Sequence, residues 1–135
     1  MTIVATAQVD SREARYAQDI HVRTHALVAD EPDARGGKDA GPRPYELLLA
    51  ALGACTSITL RMYAEKKGWD VGAIAVGLRL IKDGDADRIE RTLGFSKELD
   101  AEQRARLLEI AGKTPVTKTV MHGATISTTI EGAGP

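Results

Sequence analysis

Cysteine is the scarcest reactive residue in this 135-residue chain: there is one, Cys55. A single thiol excludes an internal disulfide and a cysteine-rich metal site, and in a reducing compartment it stays free unless oxidised. Net charge is scarce too. Eighteen Lys and Arg against 19 Asp and Glu leave a formal charge of −1, so bulk electrostatics call for neither nucleic acid nor an anionic membrane. No apolar run reaches the roughly 18 residues of a spanning helix, and MTIVATAQVDSREARYAQ has neither the basic start nor the apolar core of a secretory signal. The expectation is a cytoplasmic protein. Internal repeats and low-complexity tracts are also missing, and 43% hydrophobic residues suffice for one modest core, so residues 1–135 are expected to form a single domain.

Cofactor motifs are missing as well. There is no P-loop, dinucleotide fingerprint or hydrolase elbow, and GGKDAG at 36–41 lacks both the spacing and the preceding strand that phosphate binding needs. Of the three histidines, His21 and His25 share a strand face about 13 Å apart, too far for one zinc ion. No metal and no cofactor are expected.

Alternating side chains predict strands over 2–9 and 20–28, with a turn at Asp10, Ser11 and Arg12 and Tyr16 in a middle strand. Residues 30–44, rich in Gly, Pro and Asp, read as a long loop ending with Pro44 at a helix start. From Tyr45 to Lys67 the pattern is helical, and Leu47 to Leu60 carries no charge on any face, which predicts a helix buried all round and stopping at Gly68. It would be about 33 Å long, so it must be central or pack across a dimer interface. Gly53 in mid-helix implies close approach of a neighbour. Ile74, Val76, Leu78 and Leu80 define one further strand and Ile89, Arg91, Leu93 and Phe95 the next, joined by a hairpin opening at Asp83 and Gly84. Asp100 with Gln103 reads as a capping box opening a second helix with Ala105, Leu108 and Ala111 inward, ended by Gly112 and Pro115. A last hairpin is expected from 117–121 and 124–130, turning at His122 and Gly123, with GAGP frayed.

Cys55 sits in PYELLLAALGACTSITL, the most apolar stretch of the chain. A cysteine among leucines is either an inert core residue or a nucleophile at a buried pocket. To react at neutral pH it needs a cation or donor from elsewhere, because the first turn of its own helix lies some ten residues behind. Ser57, by contrast, reads as a helix hydroxyl bonded back to a carbonyl.

GPRPYELLLAALGAC, with the strands and helix that follow, resembles the OsmC and organic hydroperoxide resistance family along nearly the whole chain. The resemblance implies an α+β fold, two antiparallel sheets around central helices in the order βββ-α-ββ-α-ββ, assembled as an intertwined homodimer with sites at the interface. For active members it implies thiol-dependent reduction of hydroperoxides in bacterial stress defence: the cysteine matching Cys55 attacks the peroxide, a glutamate and an arginine activate it, and a second cysteine resolves the sulfenic acid. The second cysteine falls on Thr114, which cannot resolve a sulfenic acid, so an external thiol would have to act as reductant. The glutamate falls on Tyr45, with Glu46 one place later; one residue turns a helical side chain by about 100°. Arg12 and Arg15 are the candidate arginines, with Arg35 and Arg43 in the loop as local alternatives. Tyr45, Gly53 and Thr114 are the candidate pocket residues. Two functions compete: a one-cysteine hydroperoxide reductase, or a non-catalytic module binding a small apolar molecule in the interface pocket.

Overall fold

A 24-residue helix, α1 (Pro44–Lys67), dominates the fold, and its ends follow from local chemistry. Pro44 occupies its first position, where a missing N–H costs nothing, and Glu46 Oε1 accepts the N–H of Arg43 at 2.9 Å. At the other end Gly68 takes φ 69°, and the N–H groups of Gly68 and Trp69 return to the carbonyls of Glu65 and Ala64, a Schellman stop. The computed structural model describes residues 1–132; the rest of the expected frayed GAGP terminus lies outside them. The described residues gather into two compact units, one from Met1–Ala50 and Leu80–Ile89, the other from Ala51–Arg79 and the chain from Glu90 onward.

The first unit carries a three-stranded antiparallel sheet, β1 (Gln8–Ser11), β2 (Gln18–Val22) and β3 (His25–Ala29), in sequence order. Ile20 pairs with Val9 on one side and Leu27 on the other. Two expectations are corrected here. The strand over 20–28 is broken into a hairpin at Arg23 and Thr24, where Arg23 adopts φ 54°, and Tyr16 stands in the β1–β2 turn instead of a strand. Residues 2–7 carry no regular structure, so the first strand starts only at Gln8. After β3 the loop folds around one buried carboxylate. Asp30 is 2% exposed and accepts the N–H groups of Glu31, Lys38 and Ala40 at 2.7, 3.1 and 3.1 Å. Gly37 closes the same loop so tightly that a Cβ there would overlap the Glu31 carbonyl oxygen.

The second unit holds the core. Leu60 and Ala64 of α1 pack with Val71 and with Leu107 and Ala111 of α2 (Ala101–Ala111), and Trp69, Leu93 and Phe95 close over them. Each buried leucine contributes about 1.5–3 kcal/mol of transfer free energy. Asp100 and Gln103 form the expected capping box, each accepting the other's backbone N–H. The inward residue is Leu107; Leu108, expected inside, is 65% exposed. Strands β4 (Ile74–Asp83) and β5 (Ala86–Phe95) form the expected hairpin, with Gly84 at φ 65° in the turn. Gly53 meets the close neighbour its position implied: a Cβ would lie 2.8 Å from Leu78 Cδ1.

The last expected hairpin is replaced by a helix, α3 (Pro115–His122), and residues 124–132 carry no regular structure. Thr114 caps α3 by accepting the N–H of Thr117, and Pro115 follows at a position where it favours a helix. These two outweigh the β-branched residues behind them. Among the described residues the fold is therefore α+β with two antiparallel sheets and three helices, its last elements being α-α instead of α-ββ.

Helix α1 is not apolar-buried on every side. Leu52, Gly53, Thr56, Leu60 and Ala64 form one buried stripe, while Leu48, Ile58 and Met62 are exposed within the chain. By length and mean hydropathy, 1.5, it could cross a bilayer, contrary to the expectation that no such segment exists; core helices of soluble proteins meet the same criterion.

Candidate active site around Cys55 and Arg91

Cys55 stands one residue before Thr56, the middle member of the α1 stripe; that step turns a side chain by about 100° and puts Cys55 at the stripe's edge, half-buried. Its Sγ lies 4.0 Å from Thr59 Oγ1, one turn on. Thr56, beside it, is fully buried; its hydroxyl donates to the Leu52 carbonyl at 2.7 Å and so presents its lone pairs outward.

Those lone pairs meet a cation. Arg91 Nη1 donates to Thr56 Oγ1 at 2.9 Å and to Thr117 Oγ1 at 2.8 Å, and Nη2 donates to the Ala111 carbonyl at 2.8 Å. Ala111 ends α2, so that carbonyl is one of the unpaired acceptors at the negative end of a helix. Thr117 Oγ1 is 2.6 Å from Thr114 Oγ1, and Thr114 is fully buried at the start of α3. One guanidinium thus ties β5 to α1, α2 and α3, through hydroxyls and a carbonyl only.

No carboxylate pairs with Arg91 among the described residues, so its positive charge is left without a neutralising partner. Burial pushes its pKa below that of an ordinary arginine, and Cys55 acts in the opposite sense by electrostatic attraction. The guanidinium is within Coulombic reach of the only thiol in the chain.

The sequence-derived candidates divide. Thr114 belongs to the Arg91 network. Gly53 lies on the same helix stripe under Leu78. Glu46 caps the start of α1, with half-exposed Tyr45 beside it in the first turn. Arg12 and Arg15 belong to the unit built on the three-stranded sheet, and each has its own partner there. Arg12 binds Asp19 through Nε and Nη2 at 2.9 and 2.8 Å, and that carboxylate raises its pKa. Arg15 stacks over Tyr16 at 4.6 Å. Arg43 Nε stands 3.4 Å from Glu31 Oε1, close enough for an ion pair but misaligned for a hydrogen bond. Arg35 closes the 3-10 turn Asp33–Arg35. Among the described residues no group of three or more His, Cys, Asp or Glu could hold a metal. Arg91 itself was hidden in the strand pattern; its one signal is a charge in line with Ile89, Leu93 and Phe95.

Comparison with solved structures finds chains of the same fold. An OsmC-like protein from Mycoplasma pneumoniae superposes with a TM-score of 0.76 at 15% identity, covering 90% of this chain and 89% of that one. The organic hydroperoxide resistance protein OhrB of Bacillus subtilis gives 0.60 at 23% identity, over 87% and 90%. An organic hydroperoxide resistance protein OsmC from Legionella pneumophila gives 0.66 at 13% identity, over 89% and 90%. No curated protein sequence matches the chain. The family model described as OsmC-like protein matches residues 36–129, a span that runs from the Gly-Gly loop through Cys55, Arg91 and Thr114, and the chain therefore belongs to the OsmC-like protein family.

Proposed function

We propose that this chain is a one-cysteine, thiol-dependent hydroperoxide reductase of stress defence in the cytoplasm. The observation that carries the reading is the Arg91 guanidinium, hydrogen-bonded to the residue next to Cys55 and not neutralised by any carboxylate. The thiolate is the nucleophile in such chemistry, and this guanidinium is the unneutralised cation within electrostatic reach of Cys55. The thiolate attacks one peroxide oxygen; an S–O bond forms, the O–O bond breaks, and the alkoxide leaves as alcohol after taking a proton. The sulfenic acid then reacts with an external thiol to give a mixed disulfide and water, and a second thiol releases the low-molecular-weight disulfide and restores Cys55. Thr114 is why the reductant comes from outside: its hydroxyl is held by Thr117 and has no redox chemistry. Solved neighbours named for organic hydroperoxide resistance support the substrate class.

The same reading includes a homodimer. Leu48, Ile58 and Met62 with Cys55 recur at helical spacing along one face of α1, and a second copy's helix is the cover that such a face fits. Light scattering on the purified protein would give twice the chain mass; a stable monomer refutes the dimer.

The test of activity mixes reduced protein with cumene hydroperoxide and dithiothreitol, following peroxide loss and the mass of Cys55. Consumption must exceed that of a Cys55→Ser control, and a +16 Da adduct must form on Cys55 in the absence of thiol. Equal consumption by the control rejects catalysis and leaves the second reading, favoured by Thr114 standing where a resolving cysteine is expected: a module that binds a small apolar molecule beside Cys55.

A further inference from the structure

Between β5 and α2 lies a cavity of about 280 Å3, built within the second unit and lined by no residue of α1, though Arg91 borders both it and the Cys55 site. Its apolar wall comes from Leu93 and Phe95 of the strand, Leu99, and Leu107 and Leu108 of the helix. The two charged residues lining it, Arg91 and Arg104, are both cations. Of the acidic side chains near in sequence, Glu109 pairs with Arg106 and Lys113, Asp100 caps α2 and Glu90 pairs with Arg79, while Glu98 lines a neighbouring cavity that shares Arg104. An apolar pocket with a few polar groups of one sign is the usual form of a small-molecule site, and this volume falls just under the ordinary range. Leu108 is 65% exposed at its mouth, so the pocket is open to solvent.

We propose that this cavity binds an apolar monocarboxylate, its chain against Leu93, Phe95, Leu99 and Leu108 and its carboxylate against the guanidinium of Arg104. Charge decides the occupant. A neutral hydrocarbon would use the leucines but leave Arg104 unanswered, and a cationic amphiphile would be repelled. Guanidinium and carboxylate match in geometry as well, through paired N–H donors. The site does not depend on peroxide chemistry and can be tested apart from it.

The experiment titrates octanoate, octanol and octyltrimethylammonium separately into the full-length protein by calorimetry at physiological salt. Octanoate is expected to saturate one site per chain, with octanol at least tenfold weaker and the cation not bound. Arg104→Ala, on the exposed side of α2, should weaken octanoate about tenfold and leave octanol unchanged; Leu108→Ser should weaken both. Unchanged thermal melting of the two variants shows that they fold. Equal affinity for octanoate and octanol, undiminished octanoate binding by Arg104→Ala, or no octanoate binding at millimolar concentration each overturns the proposal. Octanoate bound by a protein that consumes no peroxide supports this site and rejects only the redox reading.

Discussion

Replacing Arg91 by methionine and by lysine separates two jobs of that side chain. Its three hydrogen bonds, at 2.9, 2.8 and 2.8 Å, run from a charged donor to neutral acceptors; such bonds contribute about 1.5–3 kcal/mol each net of exchange with water. The guanidinium is only partly buried, and Thr56 and Thr117 keep other partners, so the net loss falls short of that sum, about 3 kcal/mol for Arg91→Met. Lysine cannot fork between Thr56, Thr117 and Ala111, so Arg91→Lys should lose nearly as much stability while keeping the positive charge. Chemical denaturation reads the first effect. Alkylation of Cys55 by iodoacetamide at pH 7 reads the second: Arg91→Met should react about tenfold more slowly, the equivalent of about 1.4 kcal/mol of lost charge stabilisation, and Arg91→Lys should stay near the parent rate. If the methionine variant alkylates as fast as the parent, Arg91 is a structural clamp and the argument for an activated Cys55 fails.

Asp30 gives a pH prediction whose sign follows from its surroundings. Burial alone would raise its pKa, but the N–H groups of Ala40, Glu31 and Lys38 and the charge of Arg12 together bring it below 3.8. A carboxylate depressed on folding stabilises the folded state above its unfolded pKa and loses that contribution as pH falls through the folded value. Urea midpoints should therefore drop below about pH 4, and Asp30→Asn should lower the midpoint at pH 7 while flattening this acid limb; an unchanged midpoint in Asp30→Asn counts against the loop's dependence on that carboxylate. Gly37→Ala pushes a methyl into the Glu31 carbonyl and should destabilise by about 2 kcal/mol or more, read as a lowered melting temperature; near-parent melting would mean the loop yields without penalty. Asp100→Ala removes half of the capping box on α2 and should cost about 1 kcal/mol; a urea midpoint equal to the parent's would show that the cap contributes nothing.

The parts of the fold legible in the sequence are those set by short-range chemistry. Pro44 and Gly68 bracket α1, Asp100 with Gln103 opens α2, and Asp83 with Gly84 turns the hairpin, because each acts within a few residues of itself. The misses have physical reasons too. Arg23 makes a tight turn at φ 54° without the glycine or asparagine that would advertise it. In α3 the alternating Val116, Val120 and threonines resemble a strand, and the competing signal, Thr114 before Pro115, is masked because Pro115 equally marks the end of the previous helix. Leu107 and Leu108 are adjacent, and a small error in helix phase exchanges which faces inward. At the site, Cys55 and Thr114 are legible from the family resemblance, whereas Arg91 is 36 residues from Cys55 and is brought to it only by tertiary packing. An arginine among the inward residues of an otherwise apolar strand face is the one trace it left.

Because the fork of Arg91 rests on Thr56, Ala111 and Thr117, it is complete only while three helices are in place at once. Transient fraying of α3, an eight-residue helix near the carboxyl end, would release one tine and let the guanidinium swing toward water. Amide exchange in that short segment then becomes a gauge of how long the thiol keeps its counter-charge, and thiol reactivity should vary with the opening rate of a helix far along the chain from it.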